Sequence, residues 1–122
     1  MMDREDLPAY ILGLMEGPVP PSGYACDGCT FSPDVLGGMD CRPACFYHDF
    51  AYKLGGGKRE RLRADRTFYR NLRRCDVPRS LATLYFFEVR TWGNTAFTWT
   101  TEPRPRFWRA FLETFFTRWG RM

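Results

Sequence analysis

Apolar residues recur at helical spacing in several stretches of the chain. Leu7, Tyr10, Ile11, Leu14 and Met15 fall at i, i+3, i+4, i+7 and i+8, which predicts a short amphipathic helix within residues 1–16. Asp6 stands as its N-cap before Leu7-Pro8, and Gly17-Pro18 stops it. Pro43 suits a first helical turn, and nothing from there to Leu54 breaks a helix until Gly55-Gly56-Gly57. A second long helix is predicted from Lys58 to about Cys75, with an apolar stripe of Leu62, Phe68, Tyr69 and Leu72. Pro78 precedes a third, Leu81 to Thr91, which Gly93-Asn94 ends. A last helix, Arg106–Trp119, sets Phe107, Trp108, Phe111, Leu112, Phe115, Phe116 and Trp119 against Arg109, Glu113 and Arg118. Residues 17–41, rich in Gly and Pro, read as one long loop, and Thr95 to Thr101 as extended or irregular. The fold class expected is all-α.

At 122 residues, 44% hydrophobic and 17% aromatic, the chain suits one ordered domain with a modest core. The expected organisation is an N-terminal helix (1–16), a loop region (17–41), a helix pair (42–75) and C-terminal aromatic and basic helices (78–122). No apolar run reaches 18 residues, so no spanning helix is expected. The acidic opening Met1-Met2-Asp3-Arg4-Glu5-Asp6 has no apolar segment behind it and is not read as a signal peptide. Charge is unevenly spread: residues 1–57 sum to −5 and residues 58–122 to +9, and 16 of the 18 basic residues are arginine. That suits either phosphate contact or a solvated helix face.

His48 is the only histidine. On the predicted helix Cys45, His48 and Tyr52 share one face, while Asp49 points about 100° round from His48. Asp65 falls inside the apolar stripe of the next helix, where an unpaired acid is costly. It either sits at the stripe's edge and pairs with Arg61 or Arg66, or faces the preceding helix and receives a hydrogen bond from His48. Two antiparallel helices joined by a glycine turn make the second meeting easy. Asp27 and Asp49 with the backbone at Gly28 are oxygen donors, the ligands of a hard cation such as Ca²⁺. A histidine oriented by a carboxylate beside such a cation has the parts needed to activate water against an ester. Five cysteines, at 26, 29, 41, 45 and 75, suit disulfides around a loop or a zinc site.

Cys45-Phe-Tyr-His48-Asp49-Phe-Ala-Tyr52 resembles the Cys-x-x-His-Asp-x-x-Tyr helix of the secreted phospholipases A2. Asp27-Gly28-Cys29-Thr-Phe-Ser-Pro33-Asp34 is similar to the calcium loop of the bacterial and fungal branch, and Arg63-Ala-Asp65-Arg-Thr-Phe68-Tyr69 to its second helix. The resemblance spans residues 24–75. It implies a small phospholipase A2-like bundle with two antiparallel active-site helices and a calcium-binding loop. It also implies calcium-dependent hydrolysis of the sn-2 ester of phospholipids. His48 would be the general base and Asp65 its partner. Asp27, Gly28 and Asp49 would bind Ca²⁺, Tyr52 would hydrogen-bond Asp65, and Cys29–Cys45 would be a disulfide. A Cys41–Cys75 bridge is expected from the antiparallel pairing of the two helices.

A site with two carboxylates is expected to bind Ca²⁺ weakly, at about 10⁻⁴–10⁻³ M. The enzyme would then act once secreted or delivered outside the producing cytosol. The expected partner is a phospholipid membrane surface, with no nucleic acid and no obligate protein partner. One competing reading takes Cys26-x-x-Cys29 and Cys41-x-x-x-Cys45 as a zinc site in a module that binds nucleic acid through its arginine-rich half. Another keeps the phospholipase fold as a catalytically silent membrane-binding module.

Overall fold

The structure is a computed structural model that describes residues 2–3, 13–21, 23–26, 35–36, 39–40 and 42–106; for residues 2–3, 25–26, 35–36 and 39–40 it describes the backbone alone. Most of the expected N-terminal helix, Asp27, Gly28, Cys29, Cys41 and the aromatic helix from Phe107 onward lie outside these residues. The described part is mostly helical, as the all-α reading expects. Three helices carry it: α1 (Arg42–Leu54), α2 (Lys58–Arg74) and α3 (Arg79–Trp92). No helix among the described residues is long and apolar enough to cross a membrane.

The 17–41 region is less structureless than its composition suggests. Ala25–Cys26 pairs antiparallel with Met2–Asp3, and Val35–Leu36 with Met39–Asp40. Gly37-Gly38 between Val35-Leu36 and Met39-Asp40 is the hairpin signal that a loop reading passes over. Leu14 also departs from expectation. It is 47% exposed, while the neighbouring Met15 packs on Phe46 and Tyr47.

The packing order is α1 on α2 on α3. Ala44 and Cys45 of α1, Phe68, Tyr69 and Leu72 of α2, and Ala82, Tyr85, Phe86 and Val89 of α3 form one buried cluster. α2 ends where its sequence lets it. Asp76 takes φ +64°, the Val77 N–H reaches the Leu72 carbonyl and the Asp76 N–H the Arg73 carbonyl. This is a Schellman ending, closed by contact of the fully buried Val77 with Leu72. Cys75, just before it, packs half-buried between two apolar clusters and keeps its thiol. The expected Cys41–Cys75 bridge is therefore not formed.

Two further segments fasten onto the helix pair. Asn71, 1% exposed, grips the backbone of Glu16 twice: it accepts from the Glu16 N–H at 2.8 Å and donates to its carbonyl at 3.0 Å. Arg70 and Arg74 bind the Glu16 carboxylate, and Arg74 also donates to the Leu14 carbonyl. Beyond α3 the chain makes a short 3-10 turn, Gly93–Thr95, and runs back over the glycine turn. There Thr98 accepts from the Gly56 N–H and donates to the Tyr52 carbonyl, Thr100 donates to Gly56, and Trp99 is bridged to Gly56. The Thr-rich segment is thus an extended strap over the α1–α2 connection. Gly55 holds φ +74°, and a Cβ there would run into the Thr98 carbonyl oxygen.

Gly55→Ala is expected to lower stability by about 3 kcal/mol, because it meets both the left-handed backbone and the strap. Asp76→Gly, which relieves a non-glycine residue of a left-handed φ, is expected to raise stability by about 0.5–1 kcal/mol. The shift in urea midpoint of each variant, at unchanged slope, checks both.

Candidate active site

His48 and Asp65 meet because α1 and α2 are antiparallel across the glycine turn. His48 Nε2 lies 2.7 Å from Asp65 Oδ1. The Tyr52 hydroxyl, one turn along α1, donates to the same oxygen at 2.7 Å. From α3, Arg90 NH1 donates to the other oxygen, Oδ2, at 2.7 Å. Asp65 is fully buried, not at the edge of its stripe, and its partners come from the neighbouring helices rather than from Arg66. Arg61 of α2, 2% exposed, spends its NH2 group on the carbonyls of Val89 and Arg90 at 2.9 and 2.8 Å. It thereby ties the end of α3 to α2.

The electrostatics follow from this geometry. Burial pushes the Asp65 carboxyl up, but the His48 hydrogen bond and the charges of His48, Arg90 and Arg61 outweigh it and leave it below its ordinary value. The Tyr52 hydroxyl is held well above its ordinary value by burial first and by the Asp65 charge second. Asp65 is therefore a carboxylate, which only accepts hydrogen bonds. The proton in the His48–Asp65 contact therefore belongs to Nε2, and in the neutral imidazole Nδ1 carries the lone pair. The imidazole is clamped between aromatic rings, with Phe68 stacked at 4.5 Å and 29° and Tyr52 tilted at 4.3 Å. Its side chain keeps 12% exposure. That opening gives onto a cleft of about 160 Å³ between α1, α2 and the 16–18 segment, lined among others by His48, Leu54, Arg63 and Phe68.

Asp49 points elsewhere, as its place on the helix requires. It accepts a hydrogen bond from the Tyr24 hydroxyl on Oδ2, and Tyr24 in turn packs edge-on against Phe50. Among the described residues Oδ1 of Asp49 receives no hydrogen bond, which leaves a hard anionic oxygen of the kind calcium prefers. The other two expected donors, Asp27 and Gly28, lie outside the described residues, and among those described no group of three or more metal-ligating side chains is assembled. Cys45 is buried and disulfide-bonded, and its expected partner Cys29 lies outside the described residues.

The chain matches no family model, no curated protein and no solved structure. The site must therefore be read from its own residues. Arg90 and Tyr24 are absent from the sequence reading, and Arg61 enters it only as a candidate partner of Asp65 at the stripe's edge. Both arginines carried a signal. Arg61 lies at i−4 from Asp65 on the same stripe, and Arg90 at i+4 from the buried Phe86. A cation on an apolar stripe asks the same question as Asp65: what pairs it? By sequence Gly93 marks only a helix stop. A Cβ there would collide with the Tyr52 hydroxyl, so this glycine also makes room for the contact to Asp65.

Because the folded-state value of Asp65 is depressed, its stabilising contribution is fully present above about pH 3.9, the unfolded value. It is lost as pH falls through the lower folded value. Asp65→Asn is expected to cost about 3–5 kcal/mol at neutral pH, since two buried guanidinium groups lose their counter-charge. It should also flatten the acid limb of the stability profile. Urea titrations of both proteins between pH 7 and pH 3 measure both effects.

Proposed function

We propose that this chain hydrolyses the sn-2 acyl ester of phospholipids by histidine-activated water attack, with calcium as cofactor. The observation that carries the reading is the His48–Asp65 contact, which assigns the ring proton to Nε2 and leaves Nδ1 as the base. The likeness of the sequence around Cys45, His48, Asp49 and Tyr52, of the Asp27-Gly28-Cys29 stretch and of the Asp65 helix to secreted phospholipases A2 supplies the substrate class.

In this reading His48 Nδ1 takes a proton from water as the water oxygen attacks the ester carbonyl. The resulting imidazolium is stabilised by the ionised Asp65 through the Nε2–H bond. As the tetrahedral species collapses, the proton on Nδ1 passes to the departing glycerol oxygen, giving a fatty acid and a lysophospholipid. His48 returns to its starting tautomer without Asp65 ever changing protonation. Asp49, its carboxylate oriented by Tyr24, would hold the cation together with Asp27 and the Gly28 carbonyl. Bound there, Ca²⁺ would supply positive charge for the ester oxygen as it becomes anionic. The cleft beside His48, with Leu54 and Arg63 at its wall, suits an amphiphile with an anionic head. The disulfide at Cys45 favours this reading over a thiolate zinc module, which would need that sulfur as a ligand.

Vesicles of mixed phospholipids with about 5 mM CaCl₂, roughly saturating for a weak oxygen site, are expected to release sn-2 fatty acid, and EGTA should stop it. His48→Ala is expected to lower the rate about 10³-fold while leaving calcium binding intact, whereas Asp49→Ala should lose both. Equal release in EGTA, or full activity in His48→Ala, would sink the proposal.

A further inference from the structure

We propose that Arg90 is a positioning residue for His48: by holding Oδ2 of Asp65 it keeps Oδ1 an acceptor facing the ring, and so sets which imidazole nitrogen is the base. This rests on the hydrolase reading only for its kinetic consequence.

The argument is geometric. Asp65 is sealed from solvent and, among the described residues, takes three hydrogen bonds, each from a different side chain. Two arrive at Oδ1, from His48 and Tyr52. When the ring is neutral, Tyr52 and His48 bring no full charge, and among the described residues Arg90 is then the cation hydrogen-bonded to the carboxylate, on the oxygen the other two leave open. Without it, a buried carboxylate favours its neutral acid. An acid proton on Oδ1 would donate to His48 Nε2 and force the ring proton onto Nδ1. The lone pair would then face Asp65, and no base would be left for water. A carboxyl held at one oxygen only is also free to turn about its Cβ–Cγ bond. Arg90 at Oδ2 removes that freedom.

Arg90 is itself built in. It is 4% exposed, and among the described residues its Nε has no hydrogen-bond partner, so the ion pair with Asp65 is its main compensation for burial. Arg61 accounts for how it is aimed. Arg61 sits one turn before Asp65 on α2, and its donation to the carbonyls of Val89 and Arg90 fixes the stretch of α3 backbone that carries Arg90. One arginine thus pairs the acid while the other locks the helix that delivers the pair. Neither lines the cleft, and neither is needed to hold α1 and α2 together, since Phe68, Tyr69 and Leu72 already pack on Ala44 and Cys45.

The test uses the single histidine of the chain, whose imidazole ¹⁵N signals need no assignment. In the full-length wild type at about pH 9, above the ordinary histidine range, the neutral ring is expected to be protonated at Nε2. A ring protonated at Nδ1 would overturn the proposal even if no variant folds. In Arg90→Gln, checked for folding by its thermal melt, a mixture of the two tautomers is expected. Hydrolysis should show kcat lowered about 10- to 100-fold, the range seen when a partner that orients a histidine is removed, with KM within about twofold. Arg90→Lys, which keeps the charge without the fork, is expected to restore most of the Nε2–H form and part of kcat. A folded Arg90→Gln with the wild-type ring signals overturns the proposal. If the wild type shows no hydrolysis, the phospholipase reading fails while the ¹⁵N spectra still decide the role of Arg90.

Discussion

A carboxylate with no access to water dominates the energetics of this molecule. Asp65 sits at the centre of the three-helix core, and an isolated charge there would cost more than the domain can supply. The three helices converge on it. α1 brings His48 and Tyr52, α3 brings Arg90, and α2 contributes Asp65 itself and Arg61, which secures α3. A pair of this kind adds little net stability over an apolar core of equal volume. What it provides is a histidine of fixed orientation and fixed tautomer, held between Phe68 and Tyr52 at the wall of a cleft.

The rest of the described structure supports that arrangement from outside. Asn71 grips the Glu16 backbone as one strand grips another, which places the 16–18 segment along the cleft. The strap from Phe97 to Thr101 covers the glycine turn, and Thr98 of the strap and Gly93 ahead of it confine Tyr52 from two sides. Gly55 and Gly93 therefore serve different needs. The first needs a left-handed backbone and the second needs space for a phenol. Both are consequences of bringing two helices close enough for a histidine to touch an aspartate.

The two helices of the pair were legible in the sequence because their signals are local. Proline at the start, three glycines at the turn and a 3.6-residue stripe mark their extents within a residue or two. The third helix was legible to the same degree, beginning two residues earlier than its periodicity suggests. Asp65 announced itself as an acid in an apolar stripe. The short pairings at 25–26 and 35–40 were not read, because pairs of two residues carry almost no periodicity. The exposure of Leu14 was not read either, since it depends on where the chain leaves its helix to reach Asn71.

The sequence alone determined which residues share a helix face, where the helices stop, and that one histidine stands a single turn from a tyrosine and one helix away from a misplaced acid. Only the tertiary structure decided what pairs that acid. Arg61 lies four residues before Asp65 and Arg90 twenty-five residues after it, and local spacing favours the near one. Packing of α3 against α2 reversed the choice, giving the carboxylate to Arg90 and the backbone carbonyls to Arg61. A buried charge takes whichever partner the folded chain can deliver dry and at hydrogen-bonding distance, and that depends on the packing of helices, which spacing along one helix does not contain.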